Sequence, residues 1–148
     1  MNGSQASREA LLEAWMGMTS IIRGNRLLDG LSMNEMLVCN VLFQQRRRTG
    51  PPVTATELCQ HTRLLKSQIN HILTSMEKRK LIQRVRSQED RRVIHIQLRD
   101  EALPLYRREH ETVMEILEAI CTALGEDGTC QLTALLTQAT AAAAQYQS

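Results

Sequence analysis

Aromatic side chains are scarce in this chain: Trp15, Phe43, Tyr106 and Tyr146 are all that its 148 residues contain. The hydrophobic fraction of 43% is therefore carried by Leu, Ile, Val, Met and Ala, a set that favours helix. Three prolines and seven glycines are too few for an all-β chain with frequent turns, which argues against a sandwich or barrel. Long apolar runs are missing as well. The longest, Met36 to Phe43, is interrupted by Asn40 and falls far short of the roughly 20 residues of a membrane span. The N-terminus has no basic segment leading into an apolar run, so no secretory signal is expected. Cys39, Cys59, Cys121 and Cys130 form no CxxC pair and no zinc spacing, so neither a metal nor another cofactor is expected. Scattered thiols of this kind point to a reducing cytoplasm. An enzyme would have to work with Cys59 and His61 or His110, but no nucleophile elbow, phosphate loop or HExxH stands behind them.

What the chain does have is segregated charge. Its formal net charge is only +2, yet Arg46 to Arg108 holds 15 Lys or Arg against 6 Asp or Glu, and the rest holds 3 against 10. A net +9 middle between ends that total −7 suggests that the middle meets a polyanion and the ends serve another purpose.

The length fits one domain, residues 1–148, with a sizeable core. Met1 to Ser7 is small and polar and is expected to fray. From there Leu11, Trp15, Met18 and Ile22 recur at helical spacing, until Gly24, Asn25 and Asp29-Gly30 end the helix. Ser32 and Glu35 form a capping box for a second helix to about Arg48, apolar on nearly all sides and so expected at the centre of the fold. Thr49-Gly50-Pro51-Pro52 breaks the chain. Thr54 and Glu57 form another capping box for a short helix to about His61, and a turn at Thr62 to Leu65 precedes a helix from Ser67. Its buried stripe is Ile69, Ile72, Leu73 and Met76, and it ends in Lys78-Arg79-Lys80. Ile82 to Arg86 and Val93 to Leu98 then alternate as a β-hairpin with a charged tip from Ser87 to Arg92. Asp100 is placed to cap a helix that tolerates Pro104 in its first turn and runs through Val113, Leu117, Ile120 and Leu124 to Gly125. A last helix carries Leu132, Leu135, Leu136 and Ala139 into the Ala141 to Ala144 run.

Two short basic helices followed by a basic hairpin have the order of a winged helix-turn-helix, so the predicted class is mainly α with a small β-hairpin wing. An α-helix fits the major groove of DNA, about 12 Å wide, and a cationic hairpin tip can reach phosphates or the minor groove. The stripe at Ile69 to Met76 leaves Lys66, Ser67, Gln68, Asn70, His71 and Thr74 pointing outward. Gln68, Asn70 and His71 suit base edges, and Lys66 and Ser67 suit phosphates. A polar face alone is an ordinary solvated surface. The attached hairpin, with Arg84, Arg86, Arg91 and Arg92, shifts the balance toward nucleic acid.

The segment from Thr54 to Ala102 resembles the MarR family of bacterial transcriptional regulators. The resemblance rests on Met76-Glu77-Lys78, Leu81-Ile82, the wing motif Asp90-Arg91-Arg92 and Leu98. Arg63 and Lys80 stand where that family commonly has glycines, and Arg99 and Ala102 replace its usual Thr and Gly. The resemblance implies that Asp90 orients Arg92, which enters the minor groove, and Thr54, at the start of the matching segment, is counted among the DNA-binding residues. It further implies a homodimer on a pseudo-palindromic operator, with residues 32–100 as the DNA-binding lobe and 7–30 and 100–146 as dimerisation helices. Leu132, Leu135, Ala139 and Ala143 would then pack between chains, with closure of the core within one chain as the alternative. Repression relieved by a small aromatic or phenolic effector is implied too, with Trp15, Met18, Met36, Cys39 and Phe43 as the pocket. Two alternatives stay open: oxidant sensing through Cys39 or Cys59, and a helical protein-interaction dimer that does not bind DNA.

Overall fold

The computed structural model describes residues 3–24, 28–48 and 50–146. Asn25 and Thr49, assigned above to breaks, lie outside the described residues. Among the described residues, five α-helices and three short strands run in the order α1 (Gly3–Gly24), α2 (Met33–Arg47), β1 (Val53–Thr54), α3 (Ala55–Thr62), α4 (Lys66–Lys78), β2 (Ile82–Arg86), β3 (Ile94–Leu98) and α5 (Leu103–Ala144). A single 3₁₀ turn, Asp100–Ala102, precedes α5. The chain divides into two compact units, Met1–His110 and Glu111–Ser148.

Local chemistry explains most boundaries in the first unit. Ser32 Oγ accepts the Glu35 N–H at 3.1 Å, and Glu35 Oε2 accepts the Ser32 N–H at 2.9 Å. Thr54 and Glu57 repeat this reciprocal cap on α3 at 3.3 and 2.7 Å. Each box satisfies two of the donors that a helix start leaves orphaned. The cap of α4 is Leu65, whose N–H is accepted by Gln68 Oε1 at 2.9 Å. At its other end the Leu81 N–H reaches the Met76 carbonyl at 2.9 Å and the Lys80 N–H the Glu77 carbonyl at 3.0 Å, a Schellman turn. Such a turn needs left-handed backbone, and Lys80 supplies it at φ 59°. Arg63, at φ 60°, does the same after α3. The two positions flagged as departures from glycine thus keep the backbone that favours glycine.

The sheet order is β1-β3-β2, all antiparallel, with Val53 opposite Ile96 and Arg84 opposite Ile96 on the other side. Val38 and Leu42 of α2, Leu58 of α3, Ile69, Leu73 and Met76 of α4, and Ile82 and Ile96 of the sheet form one core, each at 2% exposure or less. Burying each of these side chains stabilises the fold by about 1.5–3 kcal/mol. The core therefore clamps the inner face of α4 and turns its opposite face outward. Ala102 and Tyr106 belong to the same core. The first turns of α5 accordingly pack with the winged lobe, beyond the boundary expected at residue 100.

Three local expectations are corrected. Helix α1 begins at Gly3 and not at Ser7, and within it the Ser7 hydroxyl and the Arg8 guanidinium bond back to the carbonyls of Gly3 and Ser4. Strand β1 was not anticipated: two residues carry no periodic signal, and their pairing partner lies some forty residues away. Asp100 does not cap α5. It opens the 3₁₀ turn, whose N-cap is Arg99, and pairs with Arg46 of α2.

In the first unit α1 leaves much apolar surface open, including Leu11 and Trp15 at 69% and Met16 at 62%. In the second unit the helical run is interrupted at Gly125 (φ 72°, ψ 176°), as its glycine predicts, and Leu135 and Leu136 are exposed. Among the described residues no helix is long and apolar enough to cross a membrane.

Candidate nucleic-acid interface

On α4 the side chains of Ile69, Ile72, Leu73 and Met76 are buried, and Lys66, Ser67, Gln68, Asn70, His71 and Thr74 are all exposed. The structure thus brings the six proposed contact residues to one outward face. Their availability differs. Gln68 Oε1 is engaged by the Leu65 N–H, leaving its NH₂ as the donor it can offer. The Thr74 hydroxyl donates to the Asn70 carbonyl at 2.9 Å and keeps only acceptor capacity. Thr54 is half-buried and its hydroxyl accepts the Glu57 N–H, so its role begins with capping α3.

The wing is bound to this helix. Alternation along β2 puts Arg84 and Arg86 on the same sheet face as the buried Ile82. Arg84 Nη1 donates to Glu77 Oε2 of α4 at 3.0 Å, fixing the hairpin beside the helix. Asn70, Thr74, Arg84 and Ile94 line the shallow cleft between them. Arg86 Nη1 donates to the Arg91 carbonyl at 3.2 Å across the tip, where both line a second open cleft with Ser87 and Gln88.

At the end of the wing, one carboxylate oxygen does two things. Asp90 Oδ1 accepts the Arg92 backbone N–H at 3.0 Å and lies 3.4 Å from its Nε. The Arg92 side chain is still 92% exposed. Its guanidinium is thus directed without being covered, which is the arrangement expected of Asp90 and Arg92. Two contributors escaped the sequence reading. The Ser87 hydroxyl accepts the N–H groups of Glu89 and Asp90 at 3.2 and 3.4 Å and shapes the tip. Glu77 holds Arg84 as described. The Ser-x-x-Asp spacing from Ser87 to Asp90 is a turn signal that could have identified the first.

The five residues assigned to an effector pocket are placed differently. Met36 and Cys39 are buried in the core, and Phe43 stacks on Tyr106 with ring centroids 4.8 Å apart. The Tyr106 hydroxyl donates to Asn40 Oδ1 at 3.0 Å. Trp15 and Met18 lie exposed on α1, Trp15 in a shallow groove with Leu12, Met16, Thr19 and Ser20.

All four cysteines are free thiols. Burial pushes the Cys39 thiol up to about 12, the Glu35 carboxylate adds to this, and Arg79 opposes it. A thiol held there stays protonated at pH 8, and the thiolate is the form that reacts. In folded protein at pH 8, iodoacetamide should therefore modify exposed Cys130 far faster than Cys39, as read by peptide mass spectrometry. Comparable rates would show that Cys39 is open to solution and ionised. Among the described residues, no cluster of three or more His, Cys, Asp or Glu is placed to hold a metal ion.

Residues 27–106, more than half of the chain and the whole of the winged lobe from α2 to the wing, match the family described as transcriptional regulator SarA/Rot. The chain belongs to this family of transcriptional regulators. Solved structures agree on the fold of this SarA/Rot-family regulator. The PcaV regulator of Streptomyces coelicolor, determined with its natural ligand, is 19% identical, covers 90% of this chain and 91% of its own, and gives a TM-score of 0.76. BpsR of Bordetella bronchiseptica, whose DNA binding is regulated by 6-hydroxynicotinic acid, is 15% identical over 95% and 96%, with a TM-score of 0.77. A MarR/EmrR-family regulator of Acinetobacter sp. ADP1 is 19% identical over 96% of both chains, with a TM-score of 0.71. No curated protein matches significantly. The architecture is thus a MarR-type winged helix, and the family is one of transcriptional regulators.

Proposed function

We propose that this regulator is a cytoplasmic homodimer that binds a pseudo-palindromic operator sequence-specifically and represses transcription until a small aromatic or phenolic effector releases it. Helix α4 enters the major groove through Gln68, Asn70 and His71, with Lys66 and Ser67 on phosphates. Arg84, Arg86 and Arg91 follow the backbone, and Arg92 reaches the minor groove. The observation that carries this reading is the exposed polar face of α4 beside a wing whose terminal arginine is aimed by its own carboxylate. A protein-interaction dimer has no use for such a tip. Residues 7–30 and 100–146 supply the dimer helices. The effector reading, with Trp15, Met18, Met36, Cys39 and Phe43 as its pocket, draws support from the natural ligand bound to PcaV and from the 6-hydroxynicotinic acid that regulates DNA binding by BpsR. Oxidant sensing at Cys39 is disfavoured by a thiol that burial keeps protonated.

The wing provides the test. An arginine on a flexible tip loses side-chain freedom on binding, and Asp90 lowers that cost by holding it beforehand. Asp90→Ala removes a negative charge near DNA and yet should weaken binding by about 3–10-fold, and Arg92→Ala by about 10–100-fold. The double variant should match Arg92→Ala, because the two act as a unit. Binding isotherms at one salt concentration, on the DNA upstream of the protein's own gene, measure this. Tighter binding by Asp90→Ala would reduce the wing to a diffuse cationic patch.

A further inference from the structure

One polar network, centred on a buried carboxylate, has no part in the interface described above. Glu109, in the second turn of α5, is 2% exposed. Its Oε2 accepts the Asp29 N–H at 3.1 Å, its Oε1 accepts the Gly30 N–H at 3.0 Å, and Arg108 Nη2 lies 3.4 Å from Oε1. Gly30 passes the connection on, because its carbonyl accepts from Arg79 Nη2. Arg79 Nη1 is 3.1 Å from both oxygens of Glu35, the buried carboxylate that also closes the capping box of α2. Arg79 is the C-cap of α4. The start of α5, the segment before α2, the N-terminus of α2 and the end of α4 are therefore joined by charge-assisted hydrogen bonds.

The arrangement fixes geometry as well as satisfying donors. Withdrawing a carboxylate from water is costly, and Glu109 offsets that cost by accepting the N–H groups of Asp29 and Gly30, which an apolar side chain would leave without an acceptor. The backbone is also built close around it. A Cβ on Gly30 would lie 2.4 Å from Leu105 Cδ1 and 3.3 Å from Glu109 Oε1, so a side chain there would displace the Leu105 tip and crowd the carboxylate. Arg79 stands immediately before the Schellman turn that leads into β2, so holding it fixes both the direction of α4 and the start of the wing.

We propose that Glu109 is a positioning residue for DNA recognition: through Asp29-Gly30 and Arg79 it sets the orientation in which α4 and the wing are presented, without itself touching DNA. The proposal rests on the DNA-binding reading above. Its consequence is selective. Base-edge contacts need groups held within about 0.5 Å and 10–20°, whereas flexible Lys and Arg side chains follow phosphates with wider tolerance. Loosening Glu109 should therefore cost specificity before it costs general affinity.

The test uses the full chain with Glu109→Gln, Arg79→Ala and both together, on two probes. One is a duplex selected by the wild-type protein from a random pool, and the other is an unselected random duplex of equal length. Glu109→Gln should bind the selected duplex at least about 10-fold more weakly and the random duplex within about 2-fold, with the same salt slope. The double variant should bind no more weakly than Arg79→Ala, as members of one chain do. Thermal unfolding establishes that each variant is folded. Should Glu109→Gln fail to fold, Gly30→Ala, which pushes Leu105 aside, carries the same expectation. Equal loss on both duplexes, or loss on neither, would overturn the positioning role. A wild-type protein that selects no duplex would remove the DNA-binding reading and this proposal with it, and the control alone reveals that case.

Discussion

Affinity for operator DNA should fall by about 10⁴ when salt is raised from 50 to 200 mM, because the interface is built on phosphate contacts. Lys66, Arg84, Arg86 and Arg91, the cations assigned above to phosphates, are exposed on α4 and the wing. A dimer that places all of them on phosphates neutralises about eight charges, and the displaced counterions give a slope of about −7 in log affinity against log salt. The buried core beneath α4 has no part in this, so the slope belongs to the cations and not to stability. Replacing Lys66 with Ala should reduce the slope by about 2 for a dimer and weaken all sequences nearly equally. Gln68→Ala or His71→Ala should leave the slope unchanged and relax preference at particular base pairs. Fluorescence anisotropy across a salt series separates these outcomes. A flat response would mean that the basic middle of the chain faces something other than DNA.

How much of this was legible in the sequence follows from the range of each interaction. The capping boxes at Ser32–Glu35 and Thr54–Glu57 close within three residues, and the stripe Ile69, Ile72, Leu73 and Met76 repeats within one helix. Such signals survive in one dimension, and they place α4 and its outward face. The pairing of Asp90 with Arg92 spans two residues and was legible through the wing motif. Arg63 and Lys80 were legible as missing glycines, and their backbone angles give the physical reason. Strand β1, the pairing of Arg46 with Asp100, and the chain from Glu109 to Arg79 were not legible, because their partners lie about 40 to 80 residues apart. The buried carboxylate of Glu109 is the clearest case. In sequence it is one more acidic residue on a helix, and only the fold shows that it supports the segment leading into α2. For Trp15 and Met18 the helical spacing was plain, but it could not say whether a covering surface lies within the chain.

For the homodimer proposed above, Leu135→Asp should yield a monomer and lower the affinity for a palindromic duplex by about 10²–10⁴-fold. Leu135 is 61% exposed in the single chain, beside Leu136 at 58%, and the helix continues into the Ala141 to Ala144 run. In a protein that stays monomeric, an exposed leucine can be replaced at a cost within about 0.5 kcal/mol. An apolar face of this kind is instead the mark of a surface that is covered by a partner. Small alanine side chains allow a second helix to approach closely, and a carboxylate at Leu135 would be buried there without a counter-charge. Two recognition helices held by one dimer reach two half-sites about 34 Å apart, and the second site then binds at the high effective concentration that the linkage imposes. Dimer loss removes that gain but leaves each lobe intact. Binding of Leu135→Asp to a single half-site should therefore match that of a wild-type lobe, with the same wing dependence on Asp90 and Arg92. Sedimentation of both proteins at micromolar concentration, paired with titrations on one-site and two-site duplexes, decides the matter. A Leu135→Asp protein that sediments as the wild type does and keeps its two-site affinity would move the dimer contact away from this helix, toward the exposed face of α1 around Trp15.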